Sequence, residues 1–165
     1  MKKILFAASE AVPFMKTGGL ADVTGSLPKY FDKKNYDVRV ILPKYVCMEE
    51  RWKGQLHFLC HFYVNLSWRK QYVGIFETTY DGITYYLVDN EFYFAGNAPY
   101  NNIYEDVEKF AFFSKAVLEA LPYLDFCPDI IHCHDWQTGL LPVFLRTLYG
   151  DEEYYTGIKT VFSIH

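Results

Sequence analysis

The chain has 165 residues, of which 51% are hydrophobic and 22% charged, a composition typical of one globular domain with a sizeable core. The net charge is -4 and Lys and Arg form no long run, which argues against nucleic acid as a partner, because duplex binding needs a basic face. No apolar stretch approaches the roughly 18 residues that a membrane-spanning helix requires, so we expect no membrane partner.

The first predicted element is a short strand from Lys3 to Ala8, closed by Ser9-Glu10. A short apolar run of this kind is typical of a parallel strand buried on both faces. Two lysines before it resemble the start of a secretion signal, but the apolar run is too short for one. We therefore expect a cytoplasmic protein whose four cysteines are reduced.

A glycine-containing loop, Pro13 to Gly19, leads from this strand into a helix. Apolar residues recur at helical spacing from Leu20 to Phe31, and Pro28 should kink or restart the helix. Asp37 to Leu42 predicts a second strand. The unit is therefore βαβ, with a right-handed crossover.

The middle of the sequence changes character and predicts three antiparallel strands, over Leu56–Leu66, Gln71–Thr78 and Ile83–Val88. Asp81-Gly82 between the last two favours a tight hairpin turn. A loop rich in Gly, Asn and Pro follows from Phe94 to Asn102. We interpret this region as a hairpin inserted into the sheet.

Helices and strands alternate again after residue 102. Asn102 and Glu105 stand at capping-box spacing, at the start of a helix. Its inner face should comprise Val107, Phe110, Ala111, Ser114, Val117, Leu118 and Leu121.

A buried strand is predicted over Asp129–Cys133, followed by a helix over Trp136–Leu148 and a last strand over Lys159–Ile164. Pro142 should lie near the first turn of that helix or bend it. Its inward residues should be Leu140, Leu141, Phe144, Leu145 and Leu148.

These elements predict an α/β fold over residues 1–165: a Rossmann-like, doubly wound, mostly parallel sheet with an inserted β-hairpin. The sequence stops directly after a strand, where a domain rarely ends, so we expect the natural protein to continue.

Ligands of such sheets bind at the carboxyl ends of the strands, where the strand order reverses. Three polar clusters follow strands here, and we expect them to converge. They are Glu10 with Lys16-Thr17-Gly18-Gly19, His134-Asp135-Trp136, and His165.

The loop containing Lys16, Gly18 and Gly19 is a candidate phosphate site. Glycines let backbone N–H groups approach a ligand closely, and the helix N-terminus adds positive potential. The sequence matches neither GxGxxG nor GxxxxGK[ST]. An ordinary turn with a solvated lysine is the alternative, and the pattern does not separate the two.

His132 and His134 share one strand face, while Cys133 points to the other. A zinc site would need further ligands, such as His57 and His61, and no ligand spacing in the sequence supports one. We therefore expect hydrogen-bonded packing for His132, and no metal. Asp135 can bind sugar hydroxyls or cap the following helix. From pattern alone, His165 is best interpreted as a frayed terminal residue.

The sequence from Glu10 to Val23, continuing to Gly25 and Leu27-Pro28, closely resembles the signature region of bacterial glycogen synthases and plant starch synthases that contains KTGGL, here Lys16 to Leu20. Further matches cover the whole chain. They are Asn90 to Phe94, Pro99-Tyr100, Glu108 to Ala116, Asp129 to Leu140 with His134-Asp135-Trp136, and Lys159 to His165.

This resemblance implies the N-terminal half of a GT-B glycosyltransferase, two Rossmann-like domains with the active site between them. The implied reaction is retaining transfer of glucose from ADP-glucose to the non-reducing end of an α-1,4-glucan, without a metal or other cofactor. By resemblance, Lys16, Gly18 and Gly19 face the donor. Asp135 and His165 are the implied catalytic, glucose-contacting residues.

The same resemblance makes Glu10 and Tyr100 cleft-lining residues. Because the C-terminal domain of the family is absent from this sequence, we expect the 165-residue chain to fold without transferring glucose, and its exposed cleft surface to favour self-association.

The alternatives are a non-catalytic sugar- or nucleotide-binding module, another GT-B enzyme of the sucrose synthase or trehalose-forming kind, and a flavodoxin-like receiver domain. A receiver domain would need an acidic cluster after the first strand.

Overall fold

Seven strands form one sheet in the computed structural model, which describes residues 1–165, and their spatial order is β3-β4-β5-β2-β1-β6-β7. The strands are β1 Lys2–Ala7, β2 Tyr36–Pro43, β3 His57–Leu66, β4 Arg69–Tyr80, β5 Ile83–Asp89, β6 Ile130–His134 and β7 Lys159–Ser163. The helices are α1 Gly19–Ser26, α2 Glu50–Lys53, α3 Ile103–Ala120 and α4 Leu140–Thr147. Short 3-10 turns lie at 27–30, 121–123, 136–138 and 153–155.

Strand pairing confirms the mostly parallel sheet with an inserted hairpin. β1 pairs in parallel with β2 and β6, β2 with β5, and β6 with β7. β3 and β4 pair antiparallel, as do β4 and β5. Asp81 and Gly82 both have positive φ, 52° and 77°, as the predicted tight turn between β4 and β5 requires.

The core lies on both faces of the sheet. Within β1, Leu5 belongs to the larger apolar cluster under α3 and α4, and Phe6 to the smaller cluster on the opposite face. Both side chains are fully buried, as expected for a central parallel strand. The doubly wound arrangement follows, because the chain leaves β1 toward β2 on one side and returns to β6 on the other.

The predicted effects of Pro28, Asn102 and Pro142 on the helices are confirmed, whereas the predicted extent of the last helix is not. α1 ends at Ser26, and Pro28 lies in the 3-10 turn that follows it. The side chain of Asn102 caps α3 by accepting a hydrogen bond of 3.1 Å from the Glu105 N–H. Pro142 is the third residue of α4, within its first turn. The predicted helix from Trp136 is divided, since a 3-10 turn precedes α4.

Three residues predicted to face inward are exposed: Val107, Leu140 and Leu148, at 51%, 38% and 52%. Val107 and Leu140 lie with Trp136 along a surface groove of about 250 Å³. The fully buried Phe112 and Phe113 were not predicted. α3 packs on both the sheet and α4, so more than one stripe of it is buried.

Gly25 permits close contact between α1 and the chain at Val12. A Cβ on Gly25 would overlap the Val12 side chain and lie 2.5 Å from the Val12 carbonyl oxygen. We expect Gly25→Ala to lower the free energy of unfolding by about 1–3 kcal/mol in urea titrations, since overpacking outweighs the better helix propensity. Gly18→Ala is the matched control, because nothing lies within 4 Å of a Cβ there. Equal stability of the two variants would contradict this account of α1.

Candidate active site at the carboxyl ends of β1 and β6

An open cleft of about 600 Å³ lies where the strand order reverses, beyond the carboxyl ends of β1 and β6. The structure brings residues of all three predicted polar clusters to it. The lining residues are Glu10, Thr17, Gly18, Gly19, Leu20, Val23, Tyr100, Asp135, Gln137 and His165.

Glu10 is the buried centre of one wall, with a side chain that is 1% exposed. One carboxylate oxygen accepts hydrogen bonds from the Thr17 N–H (3.2 Å), the Thr17 hydroxyl (2.5 Å) and the Tyr100 hydroxyl (3.1 Å). The other accepts from the Gly18 N–H at 3.1 Å. Glu10 therefore holds the loop before α1 to the Tyr100 segment, and neither oxygen is without a donor.

The glycine loop is only partly available to an anion. The Gly18 N–H is donated to Glu10, whereas the N–H groups of Gly19 and Leu20, at the start of α1, meet no protein acceptor. The backbone of Gly18 is extended and needs no glycine. The absence of neighbours around a Cβ at Gly18 or Gly19 leaves space for a ligand.

Lys16 does not line the cleft. Its ammonium lies 2.8 Å from the Asp22 carboxylate, and both side chains are about half exposed. Such a surface ion pair contributes little stability, so Lys16 can exchange Asp22 for another anion at small cost. Its predicted role in donor binding stays a prediction.

Tyr100 reaches the cleft from the loop before α3. Its hydroxyl lies 2.7 Å from the Ser9 hydroxyl and within hydrogen-bond distance of Glu10. Burial, and the carboxylate of Glu10, raise the pKa of Tyr100 well above its usual value, although Ser9 opposes the shift. The phenol is therefore protonated throughout the physiological range and acts as a donor.

A buried ion pair in the first turns of α3 holds this loop. Lys109 lies 3.2 Å from Asp106, with side chains only 3% and 7% exposed. Lys109 also donates to the Pro99 carbonyl at 2.8 Å, and both Asp106 oxygens accept from the Asn101 N–H. The residues on either side of Tyr100 are thereby tied to the helix.

Asp135 follows β6 and has φ 62° and ψ 178°, a backbone conformation that favours glycine. Its carboxylate accepts a 2.7 Å hydrogen bond from the His165 N–H and makes no capping bond. The interpretation of Asp135 as a helix N-cap is therefore wrong, because its side chain points across to the end of β7.

His165 is not frayed, contrary to the expectation from pattern. Its N–H is held by Asp135, and its ring Nε2 lies 2.9 Å from Nδ1 of His134. The expected packing of His132 is confirmed, with Nε2 2.7 Å from the Ser163 hydroxyl. No three His, Cys, Asp or Glu side chains are grouped as metal ligands would be.

Two residues at the cleft were not singled out from the sequence. Ser9, fully buried, positions Tyr100, and its own carbonyl accepts from the Tyr45 hydroxyl at 2.6 Å. Gln137 lines the cleft and has a buried side-chain oxygen without a partner. Ser9 lies two residues after the end of β1 and Gln137 three residues after the end of β6, and these positions are the only signal that could have drawn attention to them.

His134 gives the chain a predicted sensitivity to acid. Burial lowers the pKa of His134 from 6.5 to about 3, with smaller contributions from His132 and His165. Between these values the unfolded chain binds a proton that the folded chain does not, so stability falls as the pH falls. We expect the folded chain to lose about 2 kcal/mol through His134 between pH 7 and pH 5.

Urea unfolding at the two pH values measures this loss. His134→Phe should reduce the loss by about that amount, whereas His61→Phe, on the exposed face of β3, should leave it unchanged. An identical pH dependence in His134→Phe and the unaltered chain would contradict the assignment.

The chain is similar to known proteins over nearly its whole length. The family model described as the starch synthase catalytic domain matches residues 3–165. A glycogen synthase of Lachnoclostridium phytofermentans is 66% identical over all 165 residues, and one of Lachnospira eligens is 61% identical. This chain spans about a third of each relative, 34% of its length.

Among solved structures, the catalytic domain of Starch Synthase IV from Arabidopsis thaliana, bound to ADP and acarbose, matches with a TM-score of 0.85 and 29% identity. The match covers 99% of this chain and 34% of that one. It confirms the predicted Rossmann-like, GT-B type of fold. No helix of this chain is both long enough and apolar enough to cross a membrane.

Proposed function

The chain belongs to the starch synthase catalytic domain family, and we propose that it is the N-terminal domain of a retaining glucosyltransferase, a glycogen synthase. The proposed enzyme transfers glucose from ADP-glucose to the non-reducing end of an α-1,4-glucan in the cytoplasm. One observation carries the proposal: the cleft that has the glycine loop on one wall and Asp135 with His165 on the other. The relatives of the chain that are named glycogen synthases also support this proposal.

In this proposal the donor diphosphate lies over the start of α1. The unpaired N–H groups of Gly19 and Leu20, together with the helix dipole, supply positive potential there. Lys16 adds a full charge after leaving Asp22. The space beside Gly18 and Gly19 lets the ligand approach the backbone.

When the bond between glucose and phosphate breaks, negative charge develops on the departing diphosphate. The same N–H groups stabilise that charge without a metal. Asp135 has one carboxylate oxygen bound to the His165 N–H, and its second oxygen is free to accept from a glucose hydroxyl. Asp135 and His165 thereby hold the sugar in one orientation for the incoming acceptor.

Retention of configuration requires either a covalent intermediate or attack on the face from which the phosphate leaves. Glu10 is a poor nucleophile, because both of its oxygens accept hydrogen bonds in a buried site. We favour attack on the leaving-group face. The acceptor oxygen then forms the new bond to glucose, and its proton passes to the departing phosphate.

The C-terminal domain implied by the longer relatives is a further part of the proposal, since it would close the cleft and supply most nucleotide contacts. We propose that the 165-residue chain alone does not transfer glucose, and that its uncovered cleft surface promotes self-association. Turnover by the purified 165-residue chain would contradict the first statement. Monomeric behaviour in sedimentation at high concentration would contradict the second.

The decisive test extends the chain to its natural stop codon and measures glucose transfer to glycogen from ADP-glucose and UDP-glucose. We expect transfer from ADP-glucose, and a loss of about 100-fold or more in His165→Ala and Lys16→Ala. Lys29→Ala is the matched control, because Lys29 forms an exposed pair with Asp81, as Lys16 does with Asp22, but outside the cleft. A folded protein that transfers from neither donor would favour the binding-module alternative.

A further inference from the structure

His134 is a buried side chain directly before Asp135, and the proposed reaction does not use it. It is fully buried, and its ring is nearly coplanar with that of His165, edge to edge, with centroids 5.2 Å apart and an interplanar angle of 16°. Its Nδ1 lies 2.9 Å from Nε2 of His165, while its own Nε2 is buried without a partner.

A neutral imidazole has one donor nitrogen and one acceptor nitrogen. Burial lowers the pKa of His134 to about 3, so its ring is neutral at pH 7. If Nε2 of His134 carried the proton, the structure would contain a buried N–H with no acceptor. If Nδ1 carries it, only an unpaired acceptor is left, and buried unpaired N–H groups are the rarer of the two in proteins.

The groups around His134 provide no hydrogen-bond partner for its Nε2. The Phe6 ring lies on one side, with its centroid 5.0 Å from that of His134. The His132 ring lies 4.1 Å away, centroid to centroid, and its Nε2 is engaged with the Ser163 hydroxyl. Cys133, the neighbour in sequence, packs into the core on the opposite face of the sheet.

We propose that His134 is a positioning residue, which donates its Nδ1–H to Nε2 of His165 and so fixes His165 as the tautomer protonated on Nδ1. The last residue of β6 and the one after it then control His165 together. Asp135 holds its main chain, and His134 holds its ring.

The tautomer of His165 determines which hydrogen bonds its ring can form with a ligand in the cleft. Free neutral histidine prefers the proton on Nε2, which would make that nitrogen the donor. In the proposed arrangement Nε2 of His165 is occupied as an acceptor, so the ring offers a cleft ligand a donor at Nδ1 only. His165 therefore acts as a hydrogen-bond donor with one defined direction, and it has no ring acceptor available to a ligand.

Nuclear magnetic resonance of the ¹⁵N-histidine-labelled 165-residue chain at pH 7.5 tests this without reference to glucose transfer. Long-range proton–nitrogen correlations distinguish the two tautomers and the charged ring. We expect His165 to show a protonated Nδ1 and an unprotonated Nε2, and His134 to show a protonated Nδ1. A His165 ring protonated on Nε2, on both nitrogens, or averaged between the tautomers would overturn the proposal.

Two variants separate positioning from packing. Asparagine places an amide donor near the position of Nδ1, so His134→Asn should keep the Nδ1-protonated tautomer of His165. His134→Phe keeps an aromatic ring but has no donor, and should return His165 to the Nε2-protonated form. His61→Phe is the control for labelling and folding, since it lies on the distant strand β3. The same tautomer of His165 in His134→Phe as in the unaltered chain would refute the role of His134.

Discussion

Replacing Lys109 by methionine is expected to lower the free energy of unfolding by about 3–5 kcal/mol. The substitution leaves the Asp106 carboxylate buried without its counter-charge and the Pro99 carbonyl without its donor. The loop that carries Tyr100 should loosen at the same time. Urea titration measures the first effect, and hydrogen exchange at the Asn101 amide, which donates to Asp106, measures the second.

A double variant and a matched single variant make this test specific. Adding Asp106→Asn to Lys109→Met removes the unpaired charge while keeping an acceptor for Asn101, and should restore about half of the loss. Lys53→Met removes a pair of the same spacing, with Glu50, from the surface, and should cost about 1 kcal/mol or less. Equal losses in Lys53→Met and Lys109→Met would show that burial of the pair has no effect.

Replacing the buried Glu10 by alanine is expected to cost about 2 kcal/mol or more, because four donors in a partly buried site lose their acceptor. The change should release the loop before α1. Urea titration gives the stability, and hydrogen exchange at the Thr17 and Gly18 amides reports the release.

Asp22→Ala is the control for this loop, since it removes an exposed carboxylate whose partner is Lys16. It should change the stability by less than about 0.5 kcal/mol and leave the Thr17 and Gly18 amides protected. Protected amides in a folded Glu10→Ala protein would mean that the loop is held by its own backbone, and that Glu10 has no structural role there.

The order of strands and helices was accessible from the sequence because each element carries its own periodicity or turn chemistry. Asp81-Gly82 predicted the turn between β4 and β5, and Pro28 predicted an interruption of the helical region that begins with α1. The position of the cleft followed from topology, since the carboxyl ends of β1 and β6 meet at the reversal of strand order.

Periodicity identifies the apolar side of a helix but not what covers it. Val107 and Leu140 follow the expected spacing and nevertheless lie at the surface, where they line a groove. Phe112 and Phe113 are buried because α3 packs against two neighbours at once. Those facts depend on which elements pack against one another in three dimensions, which local patterns do not encode.

Within the cleft, the sequence indicated which residues converge but not which of them are already paired. The Gly18 N–H is donated to Glu10, so the backbone N–H groups without a protein acceptor begin at Gly19, one residue later than expected. Lys16 is turned to Asp22, and His165 is held by Asp135 and His134. Asp135 and His165 are 30 positions apart and Glu10 and Tyr100 are 90 apart, and no spacing rule predicts pairings over such separations.

At position 135 the backbone conformation favours glycine, whereas the cleft uses the carboxylate of aspartate. Glycine would adopt φ 62° without the strain of about 1–3 kcal/mol that other residues incur there. Any search that selects variants for thermal stability alone will therefore tend to choose glycine at position 135. Such a protein would tolerate heating better and would lack the carboxylate that anchors the His165 N–H. Engineering of this domain for robustness should accordingly exclude position 135 from the library.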